Sequence, residues 1–281
     1  MQPLQTLPGL GAVVTRATMT TLFISDLHLD ASRPHITRLF VDFVRTEAAQ
    51  ARALYILGDL FEAWIGDDAS DETADRVAEA LAWLHTQRVP CFYVHGNRDF
   101  LIGDRFVRRA RLTLLPDPCV IEIEGERILL LHGDTLCIGD APYQAFRAQS
   151  HTPEWQRAFL VRPIAERQAF AAQARAESRR YTRSVNDAIT DVNPDAVQKA
   201  FHEHGVRRMI HGHTHRPDVH LLQPSDAASE HTFQRIVLGD WYEQESVLRV
   251  EADGIELSRA RGASMQFPPG STSIRSSSPT D

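Results

Sequence analysis

A layered α/β domain, with a mixed sheet or two packed sheets and a helical insertion, is the fold class this sequence predicts. Three observations predict it. Compact β-prone runs alternate with helix-spaced apolar residues early in the chain, hairpin-like strands follow late, and a long stretch between them has little strand signal.

In order, Thr21–Ser25 is a compact β-prone run, and Ile36, Leu39, Phe40, Phe43 and Val44 then recur at helical spacing. Ala53–Leu57 reads as a second strand. A helix is expected over Asp71–Gln87, with Val77, Leu81 and Leu84 on one face, and Cys91–Val94 as a third strand. Val120–Ile123, a turn at Glu124-Gly125-Glu126, and Arg127–Leu131 form a hairpin pattern. Arg208–Ile210, Ile236–Leu238, Val247–Val250 and Ile255–Leu257 supply the later strands. The core is thus expected over 19–139 and 207–262, with a helical cap insertion over 140–206. Residues 1–18 are expected to be a flexible extension ahead of a second methionine, Met19. The Pro/Gly/Ser-rich tail, 263–281, is expected to be disordered.

Bulk properties exclude several classes. The 281 residues are 43% apolar and 24% charged, which suits a globular core. A formal charge of −7, from 30 basic against 37 acidic side chains, argues against nucleic acid as a partner. The three cysteines, Cys91, Cys119 and Cys137, are odd in number and widely spaced, which argues for a reducing cytoplasm and against a disulfide framework. No apolar run approaches the roughly 18 residues that span a bilayer, and the N-terminus lacks the pattern of a signal peptide.

Five short blocks carry the chemistry. They are Asp26-Leu27-His28, Gly58-Asp59, Gly96-Asn97-Arg98-Asp99, His132-Gly133-Asp134 and His211-Gly212-His213-Thr214-His215. Each follows a strand-like run, so one sheet edge collects them all, where loops at carboxyl ends face a shared crevice. Asp26 and His28, two apart in an extended segment, are expected to point the same way, and so are His213 and His215. Asp59 can bridge two ions, Asn97 offers a carbonyl oxygen, and His132 offers nitrogen. This donor set suits two divalent ions about 3.5–4 Å apart, an arrangement that serves in-line attack on phosphorus. Oxygen and imidazole ligands without thiolate favour Mn2+, Fe2+ or Zn2+. His211 is expected to orient its loop, and Asp99 and Asp134 to orient ligands from behind.

These blocks resemble the calcineurin-like metallophosphoesterases, whose pattern is Asp-x-His, Gly-Asp, Gly-Asn-(His or Arg)-(Asp or Glu), His, Gly-His-x-His. The match runs from about Thr21 to Leu257. The resemblance implies a calcineurin-like layered sandwich under a helical cap. It places one metal on Asp26, His28, Asp59 and His215, and the other on Asp59, Asn97, His132 and His213, with Asp59 bridging. Two Mn2+ are the cofactors it implies, with Fe2+ or Zn2+ as alternatives.

Arg98 narrows the reaction. Arginine cannot act as a general acid, because its pKa lies above about 12. It can clamp phosphate oxygens and stabilise transition-state charge. Dispensing with an acid suits a leaving group that is itself a phosphate, so a pyrophosphate bond is expected. The longer strings Leu54–Asp68, His95–Leu101, Leu131–Cys137 and His211–Pro217 are similar to those of the UDP-2,3-diacylglucosamine diphosphatases of lipid A synthesis. That similarity implies UDP-2,3-diacylglucosamine as the substrate and water attack at the α-phosphorus, giving UMP and 2,3-diacylglucosamine 1-phosphate. The implied catalytic groups are Arg98, Asp59 and His213. Implied substrate contacts are Asn97, Arg98 and His213 with Asp140, Tyr143, Ser178 and Thr182 of the cap. At Val185 the family commonly has lysine, and here only Arg183 is near.

Between Asp140 and Thr190 eight arginines (Arg147, Arg157, Arg162, Arg167, Arg175, Arg179, Arg180 and Arg183) face five acids, a local balance of +3. Phe146, Trp155, Phe159, Phe170 and Tyr181 are interleaved with them. Read functionally, this cap approaches an anionic membrane surface while its apolar groups hold acyl chains, on the cytoplasmic face of the inner membrane. Read as packing, it is a solvated helical face. No protein partner is inferred. A related metallophosphodiesterase or nucleotide pyrophosphatase with a soluble substrate would share the same ligands. A non-catalytic scaffold of the same fold is the third reading, and the intact ligands in all five blocks argue against it.

Overall fold

A computed structural model describes residues 20–184, 187–224, 232–242, 245–252, 254–259, 263–267 and 275–276. The expected extension at 1–18 lies outside them. Two sheets face each other. The first is built on β1 (Thr21–Ile24), β2 (Ala53–Leu57), β3 (Cys91–Val94) and β4 (Leu112–Leu114), which are parallel. The second contains β5 (Cys119–Ile123), β6 (Glu126–Leu130), β7 (Arg208–His211), β8 (Asp218–Leu222) and β9 (Phe233–Val237), in the order β5-β6-β7-β9-β8. The chain returns to the first sheet through β10 (Leu248–Glu251), β11 (Gly254–Arg259), β12 (Ala263–Phe267) and β13 (Arg275–Ser276). That completes the order β13-β12-β11-β10-β1-β2-β3-β4.

Helices cover the outer faces. The first sheet carries α1 (Pro34–Arg45), α2 (Glu72–Thr86) and α3 (Asp104–Ala110). The insertion supplies α4 (Ala141–Ser150), α5 (Pro153–Leu160), α6 (Ile164–Ser184), α7 (Asp187–Thr190) and α8 (Pro194–His204). Side-chain alternation explains the layers. Phe23, Leu57 and Val94 point between the sheets onto Ile128, Leu130, Ile210 and Ile236. Leu22, Ile24, Leu54 and Ile56 point the other way, onto Phe40, Phe43, Val77 and Leu81 of α1 and α2. Strands buried on both faces read as continuous apolar runs, as these do.

Two boundaries differ from expectation. The last insertion helix, α8, packs Val197 and Phe201 against Leu129, Met209 and Phe233 of the second sheet, so it belongs to the core layers. The tail was expected to be disordered from 263, yet β12 pairs with β11 and β13 with β12. The alternating string Ser264-Met265-Gln266-Phe267 is a short strand signal inside a tail of low-complexity composition. The other tail residues lie outside those described. The hairpin turn falls where expected, with Glu124 and Gly125 at φ 50° and 79°, the left-handed pair of a tight β-turn.

Candidate metal centre

All seven predicted ligands leave the carboxyl ends of strands from both sheets. Asp26 and His28 follow β1, Asp59 follows β2, Asn97 follows β3, His132 follows β6, and His213 and His215 follow β7. The first two loops continue the β1–β2 ladder past its ends: Asp26 N–H donates to Gly58 O (3.1 Å), His28 N–H to Asp59 O (2.9 Å) and Leu29 N–H to Leu60 O (2.9 Å). The carboxylate of Asp99 ties in the third loop, accepting N–H groups of Gly96 (2.9 Å) and Leu60 (2.7 Å). Gly212 N–H donates to His132 O at 2.9 Å, which joins the last two loops.

The side chains converge by a different route from the one expected. Asp26, His28, Asp59, His213 and His215 have φ values of 55°, 49°, 52°, 67° and 55°. Left-handed turns, not strand alternation, aim them inward, each at a backbone cost of about 1 kcal/mol or more. Close approach also dictates two glycines. A Cβ on Gly96 would lie 2.2 Å from Asp59 Oδ1, and one on Gly212 would lie 2.2 Å from Asp26 Oδ2.

The donors form two neighbouring groups. In one, Asp26 Oδ1 is 3.3 Å from His215 Nε2 and 3.9 Å from His28 Nε2, and the two imidazole nitrogens are 3.1 Å apart. In the other, Asn97 Oδ1 is 2.9 Å from His132 Nε2 and 3.0 Å from His213 Nδ1. Asp59 Oδ2 stands between them, 3.8 Å from His28 Nε2 and 3.8 Å from His132 Nε2.

This donor chemistry fits divalent cations. Asp26 Oδ1 is buried without a hydrogen-bond partner, and the Nε2 atoms of His215 and His28 lie 3.3 and 3.9 Å from it. The sets Asp26/His28/His215 and Asp26/Asp59/His132 each bring ligand atoms within 4.8 Å of one another.

Tautomers follow from what lies behind each ring. His132 Nδ1 meets Leu57 O at 2.9 Å, so in the neutral ring Nδ1–H donates there and Nε2 carries the lone pair that a cation would take. His215 Nδ1 faces Asp240 Oδ2 at 3.3 Å, a carboxylate that sequence reasoning missed because it lies in an unremarkable Gly239-Asp240-Trp241 stretch. His211 lies outside both groups. Its Nδ1 donates to Gly212 O (2.8 Å), and its Nε2 accepts from Arg235 Nη1 (3.1 Å), which fits a loop-orienting role.

The electrostatics are those of buried groups of both signs acting on one another. Burial raises the Asp59 carboxyl to about 7, with Asp99 and Asp26 adding to the rise and His132 opposing it. Burial works against ionised Asp26 too, yet His215, His132 and His28 outweigh it and hold that carboxyl below its usual range. Burial lowers His213 to about 3, helped by His132. His132 rises to about 9 despite its burial, because Asp59, Asp26 and Asp134 favour its charge.

The expected substrate contacts are placed less uniformly. Arg98 donates its backbone N–H to Asp59 Oδ1 (2.8 Å), and the half-buried residue carries a charge that acts on His28 and Asp59. Asp140 is the N-cap of α4, accepting from Tyr143 N (3.0 Å). The Tyr143 hydroxyl donates to buried Asp134, while its ring stacks 6.2 Å from that of His213. Ser178 is exposed on α6. The side chains of Thr182 and Arg183, and all of Val185, lie outside the described residues.

The basic cap is partly neutralised from below. Arg147 Nε binds Asp134 Oδ2 (2.8 Å), and Arg167 Nη1 binds Asp68 Oδ1 (2.8 Å) and Ile65 O (2.5 Å). Arg157 pairs with Glu154 (2.8 Å). Phe146, Trp155, Phe159 and Phe170 form one aromatic cluster, with Trp155 and Phe159 stacked at 4.8 Å, and it packs onto the first-sheet core. No helix among the described residues is long and apolar enough to cross a membrane.

The family model for calcineurin-like phosphoesterases matches residues 19–217. A UDP-2,3-diacylglucosamine hydrolase of Stenotrophomonas maltophilia (strain R551-3) is 56% identical over 243 residues, covering 84% of this chain and 96% of the relative. One from Xanthomonas axonopodis pv. citri (strain 306) is 54% identical over 246 residues, covering 85% and 98%. With strand-end donors in the family's order and relatives matched over nearly their whole length, the chain belongs to the calcineurin-like phosphoesterases.

Proposed function

We propose that this chain hydrolyses the pyrophosphate bond of UDP-2,3-diacylglucosamine at its α-phosphorus, releasing UMP and 2,3-diacylglucosamine 1-phosphate in lipid A synthesis. The observation that carries the reading is the likeness to relatives of that name, over 84–85% of this chain, together with the gathered donor set. Asp26, His28, Asp59 and His215 would hold one cation, and Asp59, Asn97, His132 and His213 the other. Such cations, Mn2+ in this reading, would supply Lewis acidity at the phosphoryl group and to a nearby water. Arg98 stabilises charge on the phosphoryl oxygens. It donates no proton, and none is needed, because the departing phosphate monoester has its second ionisation near about pH 6. His213 would hold a cation and also reach the phosphate. Asp134 and Asp99 orient ligand loops. Arg147 and Tyr143 brace Asp134, so Tyr143 serves the site from behind as well as through its ring.

The cap aromatic cluster offers the apolar environment that acyl chains require, and Asp140, Ser178 and Thr182 are the cap contacts proposed for sugar and acyl amide groups. Exposed Arg179 and Arg180 suit an anionic membrane surface, which would place the protein at the cytoplasmic face of the inner membrane. The test is hydrolysis of UDP-2,3-diacylglucosamine in water enriched in 18O. Label is expected in UMP, and label in the lipid product alone would overturn the reading. Preference for ADP-ribose or UDP-glucose over the acylated substrate would favour a soluble-substrate pyrophosphatase instead.

A further inference from the structure

A carboxylate that is not one of the seven donors stands where the cap meets the centre. Glu62 follows Asp59 by three residues, and its N–H donates to Leu29 O (3.1 Å), which fixes it beside the His28 loop. The Nδ1 of His28 is buried and makes no hydrogen bond within the usual limits, and Glu62 Oε2 lies 3.5 Å from it. Arg33 Nη2 donates to His28 O (2.5 Å) and lies 3.4 Å from the same Glu62 oxygen. The Tyr242 ring lies parallel to that of His28, at 5.3 Å and 9°, and the Arg33 guanidinium sits 4.6 Å from the Tyr242 centroid. From above, Arg175 Nη1 of α6 approaches Glu62 Oε1 at 3.7 Å.

An imidazole that offers Nε2 to a cation carries its proton on Nδ1. A buried N–H needs an acceptor, and a carboxylate there fixes both tautomer and ring orientation. His132 has Leu57 O in that place and His215 has Asp240. We propose that Glu62 is the positioning residue for His28 and the link through which Arg175 ties the cap helix to the metal centre. The proposal rests on the metal-centre reading above.

The experiment titrates Mn2+ into the metal-free full chain and reads free ion by electron paramagnetic resonance. The E62Q variant keeps the side-chain volume and removes the charge. Its affinity is expected to fall about 10–100-fold, the usual effect of losing such a partner. Affinity within twofold of wild type would overturn the proposal. R175M is expected to weaken binding severalfold in the wild-type background and to have no further effect beside E62Q. Equal losses in both backgrounds, or no loss in either, would remove the cap link. Histidine 15N spectra of the Zn2+-loaded wild type should show a protonated Nδ1 on His28, and an unprotonated one would overturn the proposal without any variant. A wild-type chain that binds no Mn2+ overturns the metal-centre reading itself; binding by wild type with unchanged E62Q overturns only the role of Glu62.

Discussion

The donor loops and the cap are held by different forces. At the strand ends, main-chain ladders, left-handed turns and two glycines set the positions of Asp26, Asp59 and His213. In the cap, Arg147 and Arg167 reach down to Asp134 and Asp68, and aromatic rings pack among themselves. Backbone-fixed donors tolerate loss of a side chain without losing the loop. Side-chain anchors do not, because each removed arginine takes away a contact that ties the cap to the layer beneath it. Substitutions in the first region should therefore cost turnover, and substitutions in the second should cost stability.

The sharpest separation is at Asp59 and His132. Asp59→Ala and His132→Ala are each expected to lower kcat by about 10³-fold or more, the scale of several kcal/mol of charge stabilisation. The far-UV circular dichroism of the metal-free chain should stay unchanged. UMP release within tenfold of wild type in either variant would break the comparison. Next comes Arg98→Met, expected to cost about 10²-fold in kcat, as removal of one transition-state donor does. Arg98→Lys should restore only part of this, since an ammonium cannot make the bidentate contact. Full rescue by lysine would reduce Arg98 to a point charge.

The cap gives the opposite signature. Arg147→Met leaves the buried Asp134 carboxylate, which burial opposes and which His132, His213 and Arg147 keep ionised, with the Tyr143 hydroxyl as its remaining hydrogen-bond donor. Losing this charged hydrogen bond is expected to cost about 2 kcal/mol in urea unfolding, with Arg180→Met on the exposed face of α6 as the silent control. Equal stability of the two variants would mean that the Arg147 contact does not hold the cap.

How much of this the sequence carried divides along the same line. The strands Ala53–Leu57 and Cys91–Val94 are legible because both faces are buried and every residue is apolar or aromatic. The gathering of the seven side chains is legible because each block sets a rare side chain at a strand end. Three things were not. The left-handed turns at Asp26 and His28 leave no mark, since Asp and His do not advertise positive φ as glycine does. Asp240 and Glu62 face His215 and His28 from loops with no spacing pattern of their own. The arginine surplus of the cap read as one surface, whereas three dimensions divide it: Arg147 and Arg167 turn inward while Arg179 and Arg180 stay exposed. Charge counts along a chain carry no direction.

The finest test of the cap interface uses proton uptake. His151 closes α4, stacks on Phe100 of the Asn97 loop at 4.4 Å, and meets Ser150 Oγ at 3.3 Å. Burial lowers its pKa to about 4, with Arg147 adding to the fall. The unfolded chain takes up this proton below about pH 6.5, while the folded chain does so only near 4. Protonation therefore favours the unfolded state across that window, so this contribution to stability is lost as pH falls from 6.5 towards 4 and changes no further below. His151→Phe keeps the ring stack and cannot titrate. The urea midpoint of the variant relative to wild type should therefore rise between pH 7 and pH 5. A difference that stays constant with pH would show His151 to be solvated, and the α4 contact with Phe100 to be looser than the packed donor loop beneath it.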